Sequence, residues 1–265
     1  MPRYDESAKD PYVDEETGIL KNLLGCRTGD ELSLKERELS YLRQTELWLH
    51  PIEPTFDLAH LQSIHRHLFQ DVYSWAGRLR TIDISRDETL FAPHSRIEPY
   101  AQTVFAQLAA ERHTLAAVDF AGRLAHYLGE INAMHPFREG NGRTQRIFID
   151  QLAKENGHTI LWSHCTQQEM IAASVAAHHR DSDMLADLIR RNLAPRIELL
   201  QSKVSSQELT PAAAVAEVER TRYLSTSDRI KLQTAFENNT AVEFQRRLQY
   251  RIAYSGGESR HHRPD

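Results

Sequence analysis

The sequence predicts an all-α fold: a helical bundle that carries one small β-hairpin and is followed by a short helical C-terminal tail. Three observations carry this reading. Apolar residues recur at helical spacing from about residue 30 to 195, capping and helix-ending residues fall between the apolar stripes, and only one segment breaks that period. The chain has 265 residues, enough for one or two domains, and its 40% apolar and 26% charged residues lie near ordinary globular averages.

Asp57 is placed to cap a helix whose buried stripe is Leu58, Leu61, Ile64 and Leu68. A longer helix carries Phe120, Leu124, Tyr127, Leu128, Ile131 and Met134. It stops near His135, because Pro136 pushes the residue before it out of the α region. The chain re-enters a helix around Gly142, with Ile147, Phe148 and Leu152 on its buried side, and Gly157 ends that helix. Thr166 with Glu169 reads as a capping box for a helix through Ala177, and Met184, Leu185, Leu188 and Ile189 mark another before Pro195. The exception is the hairpin: extended stretches at 79–84 and 89–92 flank the polar residues 85–88. An isolated hairpin is marginal, so it must lie against the helices, and its free edge can take a partner strand.

Net charge changes from −7 over residues 1–195 to +2 over 196–265, which predicts a domain at 1–195 and a separate tail at 196–265. Thr210-Pro211 starts one tail helix and Thr240 with Glu243 caps another, while the last ten residues are expected to be disordered. The overall charge of −5 disfavours broad attraction to a nucleic-acid backbone but allows a small basic pocket. No apolar run approaches the length of a membrane span and the start of the chain lacks a secretory segment, so a soluble, cytoplasmic chain is expected. Cys26 and Cys165 stand alone, which predicts two reduced thiols rather than a disulfide or a zinc site.

Chemistry concentrates in His135-Pro136-Phe137-Arg138-Glu139-Gly140-Asn141-Gly142-Arg143-Thr144-Gln145-Arg146, between two helices. Gly140, Asn141 and Gly142 can adopt the positive-φ conformations that turn successive N–H groups inward. The next helix starts at once, so its unpaired N–H groups and positive dipole end face the same point. Arg143 and Arg146, three apart, share a helix face, and their forked guanidinium groups suit phosphate oxygens. Two or more phosphates are implied. Glu139 would repel such a ligand unless a divalent cation lies between them; Mg²⁺ bridges phosphates while needing only one or two protein carboxylates. His135, at the end of the preceding helix, can take a proton near pH 7, as attack of a hydroxyl on phosphorus requires.

Blander readings compete with these. A lone Gly-Asn-Gly is most often a turn, Phe137 is expected to anchor the loop in the core, and Arg138 is expected to face solvent. His65, His67, His178 and His179 have no Glu or Cys at a metal-ligand spacing and are assigned no role. His135 stands apart because base, carboxylate, glycine loop and two arginines fall within twelve residues.

These twelve residues match the signature of the Fic family, His-Pro-Phe-x-(Asp/Glu)-Gly-Asn-Gly-Arg-x-x-Arg, at every fixed position. The resemblance extends from Asp10-Pro11-Tyr12 and Lys21-Asn22-Leu23-Leu24-Gly25, through Ile64-His65-Arg66 and Asp71-Val72-Tyr73-Ser74-Trp75-Ala76-Gly77, to about Leu193. It implies an all-α Fic core with a β-hairpin flap, and an enzyme that moves AMP from ATP to a Tyr, Ser or Thr hydroxyl of a target protein. In family terms His135 is the base and Glu139 holds Mg²⁺. Gly140, Asn141, Gly142 and Arg143 hold the α- and β-phosphates, and Arg146 reaches the γ-phosphate. Asn132, Leu90 and Phe91 are further candidate nucleotide contacts, and the 79–92 flap is where a target segment would align by strand addition.

Family members differ in where they carry an inhibitory helix, Ser/Thr-x-x-x-Glu-Gly/Asn. Only Glu139, Glu155 and Glu237 precede Gly or Asn here, and His135, Gln151 and Gln233 stand four residues before them, so none completes the motif. The chain therefore resembles the toxin-like class, associated with conjugation or type IV secretion and restrained by a separate antitoxin. That resemblance leaves room for delivery into a recipient or host cell. Glu237-Asn238, with Gln233, is a near miss that leaves weak inhibition by the tail as an alternative. Two rival functions remain: a Fic-type transferase using another donor (UMP, phosphocholine or phosphate), and an inactive nucleotide-binding interaction module.

Overall fold

In the computed structural model, residues 10–86, 89–115, 119–219 and 224–244 are described. They divide into two compact units, one within Met1–Leu152 and Ala173–Ala186, the other within Ala153–Ala172 and Asp187–Asp265. The last ten residues, expected to be disordered, lie outside the described residues.

The first unit is helical. Helices α1 (Gly29–Leu49), α2 (Leu58–Phe69), α3 (Ile97–Glu111) and α4 (Phe120–Met134) precede α5 (Asn141–Glu155), whose first three turns belong to this unit. Asp57 caps α2 as expected, its Oδ1 accepting the His60 N–H at 2.7 Å. The apolar stripe of α2 (Leu61, Ile64, Leu68, Phe69) is fully buried with Ile97 and Leu108 of α3, Leu124, Tyr127 and Ile131 of α4, and Phe148 and Ile149 of α5. α4 ends where the proline requires: His135 takes a left-handed conformation, φ +44°, with its N–H still bonded to the Ile131 carbonyl.

The hairpin is present, but its strands are displaced from the expected limits. Ser85–Arg86 (β1) pairs antiparallel with Thr89–Leu90 (β2), so the pairing lies in the polar centre, and 79–84 forms no strand. The backbone of 79–84 is engaged otherwise: Arg80 N donates to the Pro136 carbonyl and Thr81 N to the Tyr12 hydroxyl. On the return side Ala92 N donates to the Ala133 carbonyl, which fastens the base of the hairpin to the end of α4.

The second unit contains an element the periodicity did not disclose. β3 (His158–Ile160) pairs antiparallel with β4 (Leu193–Pro195), in register Thr159 to Ala194. Three-residue strands are too short to display alternation, and their pairing spans a long stretch of sequence. α6 (Gln167–His178) opens on the expected capping box: Glu169 N donates to Thr166 Oγ1 at 3.2 Å, and Thr166 N to Glu169 Oε2 at 2.9 Å. α7 (Asp183–Asn192) follows. The tail helices are α8 (Ile197–Ser205), α9 (Pro211–Glu219) and α10 (Thr226–Glu237). They share a core of Ile197, Leu200, Val215, Val218, Leu232 and Phe236. Thr210 caps α9 through the Ala213 N–H. Phe244 N bonds the Thr240 carbonyl, and the remainder of the helix expected there lies outside the described residues. Among the described residues, no helix is long and apolar enough to cross a membrane.

Candidate active site

The loop between α4 and α5 is held by its own side chains. Asn141 reaches back to Phe137, its Oδ1 accepting the backbone N–H at 2.9 Å and its Nδ2 donating to the carbonyl at 2.7 Å. Asn141 is buried, so its side chain shapes the loop and leaves its backbone as the part that can face a ligand. Gly140 has φ +82°, and a Cβ there would lie 2.3 Å from the Phe69 ring, so glycine is required twice over. Asn141 and Gly142 do not share the expected positive φ; they form the first turn of α5. The anion cradle is thus one left-handed glycine followed by a helix N-terminus, rather than three inverted residues.

The charged residues sort differently from one another. A Cβ at Gly142 would come 3.3 Å from Arg146 Nη1, so that guanidinium folds back over the start of α5. Arg143 turns toward α1: Nη1 donates to Ser40 Oγ at 2.9 Å, Nη2 bonds Glu36, and the guanidinium lies 4.6 Å above the Phe69 ring. Glu139 has a side chain 42% exposed. Its Oε1 takes the Gly140 N–H and lies 3.9 Å from Arg143, while Oε2 carries no protein bond among the described residues. Arg138 departs from expectation. It is buried and forms a forked pair with Asp10, Nε and Nη2 both donating to Oδ2 at 3.0 and 2.8 Å. A loop this tightly folded turns residue 138 inward, and the N-terminal segment supplies the counter-charge.

His135 lies half-buried under the flap, its ring stacked on Phe91 with centroids 3.7 Å apart. Its Nδ1 is 3.2 Å from the Asn132 carbonyl. A carbonyl can only accept, so Nδ1 carries the proton and Nε2 is left with its lone pair. Burial pushes the imidazole down to about 3, with the positive charges of Arg80 and Arg86 acting in the same direction, so in this structure it does not titrate near pH 7. Leu90, by contrast, is 73% exposed and makes no contact with His135 among the described residues. The candidate nucleotide contacts Asn132 and Phe91 therefore meet at His135, one through a carbonyl and one through a ring, while Leu90 does not join them.

A Fic/DOC family model matches residues 55–153. The protein adenylyltransferase y4lH of Sinorhizobium fredii, described as probable, is 36% identical over 194 residues, covering 72% of this chain and 99% of that protein. The chain belongs to the Fic/DOC family. Protein adenylyltransferase VbhT of Bartonella schoenbuchensis is 47% identical over 195 residues, 73% of this chain, and the match spans 41% of VbhT. Among solved structures, the N-terminal Fic domain of a putative cell filamentation protein from Bartonella quintana, with bound ADP, has a TM-score of 0.66 and 28% identity. That likeness covers 71% of this chain and 97% of the other.

Three sets of residues in this Fic site were not found from the sequence. His65 is fully buried beneath the loop; its Nδ1 accepts the Gly77 N–H at 2.8 Å, so its Nε2–H donates to the Glu139 carbonyl at 2.9 Å. It also stacks on Phe137 at 3.9 Å, and burial holds it neutral, at about 3. Glu36 and Ser40, one turn apart on the buried stripe of α1, hold Arg143, and Glu36 also accepts from the buried Tyr73 hydroxyl. Glu36 and Ser40 lie among the few buried positions of α1, between Leu32 and Leu47. Arg80, the third, is buried at the base of the flap, and a lone arginine in the extended stretch 79–84 marked it.

Proposed function

We propose that this chain is a protein adenylyltransferase that transfers AMP from ATP to a Tyr, Ser or Thr hydroxyl of a target protein and releases pyrophosphate. The observation that carries this reading is a neutral histidine, its Nε2 unbonded among the described residues, on the same twelve-residue loop as a left-handed glycine, a helix N-terminus and Arg146 folded over that N-terminus. His135 Nε2 takes the proton of the attacking hydroxyl as its oxygen bonds the α-phosphorus, and the bond from that phosphorus to the pyrophosphate oxygen breaks. The N–H groups at the start of α5 and Arg146 offset charge on the phosphates, with Arg146 assigned to the γ-phosphate. Arg143, anchored by Glu36 and Ser40, is assigned to the α- and β-phosphates. The names of VbhT and y4lH and the ADP bound in the Bartonella quintana domain support the same chemistry.

The donor set fits Mg²⁺ in one respect. Glu139 offers a single open carboxylate oxygen, and no group of three His, Cys, Asp or Glu able to hold a metal occurs among the described residues. A metal here would depend on the nucleotide for most of its ligands. Bound Mg²⁺ would supply charge neutralisation for the phosphates. The exposed edge of β2 is assigned to the target segment. We read 1–195 as the transferase and 196–265 as a tail of separate role, and we assign restraint of the enzyme to a small antitoxin carrying Ser/Thr-x-x-x-Glu-Gly/Asn, because the chain lacks that motif.

The test is to incubate the purified chain with Mg²⁺ and ATP, or with other donors, in a whole-cell lysate and weigh the modified protein. Gain of AMP on a hydroxyl side chain supports the reading. Gain of UMP, phosphocholine or phosphate would replace the donor, and nucleotide binding without any product would make this an interaction module.

A further inference from the structure

Arg80 is 2% exposed, yet among the described residues no carboxylate is closer than Asp83, whose Oδ1 is 3.8 Å from Nη1 and itself largely exposed. A buried charge needs compensation, and here backbone carbonyls supply it. Nε donates to the His135 carbonyl at 2.8 Å, Nη1 to Ile82 at 2.7 Å, and Nη2 to both Met134, at 3.3 Å, and Ala92. Two of these carbonyls are orphans at the C-terminal end of α4, where a cation is favoured; the other two lie on the two flanks of the hairpin. One planar fork therefore caps the helix that ends in His135 and closes the base of the flap whose Phe91 covers it. A lysine cannot reproduce this, since its three donors radiate from a single point.

The consequence falls on His135. Its left-handed backbone is unusual for a residue other than glycine, asparagine or aspartate, and the direction of its ring depends on that backbone being held. The N–H is fixed by Ile131 and the carbonyl by Arg80 Nε. We propose that Arg80 is a positioning residue: its guanidinium sets the orientation of the His135 imidazole and locks the flap to it, so that ring and cover move as one body. The effect on transfer rests on the reading of His135 as the base, whereas the placement of the ring does not.

Arg80→Lys in the full chain separates these. Turnover should fall by about 10², the cost of a misplaced group of this kind, while ATP affinity is unchanged, because no phosphate contact is altered. The His135 ring resonance, assigned by its absence in His135→Ala, should lose the upfield shift that the stacked Phe91 ring imposes. Unchanged turnover with an unchanged resonance would overturn the proposal. If the unaltered chain shows no transfer, the functional reading fails, and the resonance still decides the role of Arg80. If Arg80→Lys does not fold, amide exchange in the unaltered chain decides: the N–H groups of Arg80 and Ala92, bonded to Pro136 and Ala133, should open together at one rate. Much faster exchange at Ala92 would mean that the flap moves without the seam and would overturn the lock.

Discussion

Two histidines flank the loop between α4 and α5, and both are pushed down to about 3 by burial, yet they are arranged for opposite purposes. Below the loop, His65 uses both nitrogens, one accepting from Gly77 and one donating to Glu139, and its ring lies between Phe69 and Phe137. Above it, His135 uses only Nδ1 among the described residues, and Nε2 carries no bond to them. Residue type and a depressed imidazole are therefore poor guides to which histidine is placed to do chemistry. What separates them is the number of ring nitrogens already bonded to the protein.

The sharpest way to break this comparison is to delete each ring. His135→Ala should lower AMP transfer by about 10²–10⁴ with the fold and ATP binding intact, as measured by single-turnover kinetics and nucleotide titration. His65→Ala should act on the fold instead, costing on the order of 3 kcal/mol in urea unfolding, because it leaves a partly buried N–H and a partly buried carbonyl without their ring partner and opens a cavity. If His65→Ala were as stable as the parent, the loop would not depend on it. Gly140→Ala should cost a similar amount, about 3 kcal/mol, through its positive φ and the overlap with Phe69.

Acid should expose the shared property of the two rings. His60, held at about 4 by burial, joins His65 and His135 at about 3, whereas in the unfolded chain all three return to about 6.5. Their contribution is fully present above pH 6.5 and is lost as pH falls toward 3, because the unfolded state then binds more protons. Urea midpoints measured from pH 7.5 to 4 should decline, with the decline shallower in His65→Gln. A flat profile would contradict the burial of these groups. The smallest effect is expected at exposed Leu90 of β2, where Leu90→Ala should leave stability within about 0.5 kcal/mol and ATP binding unchanged while weakening transfer to the target.

Much of this is legible in the sequence. The caps at Asp57, Thr166 and Thr210 and the break at Pro136 are local signals, and local hydrogen bonds fulfilled them. The strip from His135 to Arg146 was legible because its residue types are chemically unlike their neighbours. What escaped was set by distance along the chain: Asp10 meeting Arg138, Glu36 meeting Arg143, and Arg80 meeting the end of α4 each join segments that nothing local connects. The inward turn of Arg138 is hidden for the same reason, since its counter-charge lies in the N-terminal segment. The depressed imidazole of His135 was hidden too, because it depends on Phe91 arriving from the hairpin.

Adenylyl transfer means that the α-phosphoryl group of ATP moves with its nucleoside attached. It is tested most directly by incubating the chain and a cell lysate in parallel with ATP labelled at the α-phosphate and at the γ-phosphate, alongside His135→Ala. Protein-bound label that depends on the added chain should come from α only, with the γ label released as pyrophosphate, and should be absent with the variant. Label transferred from the γ position, or undiminished α transfer by His135→Ala, would contradict it.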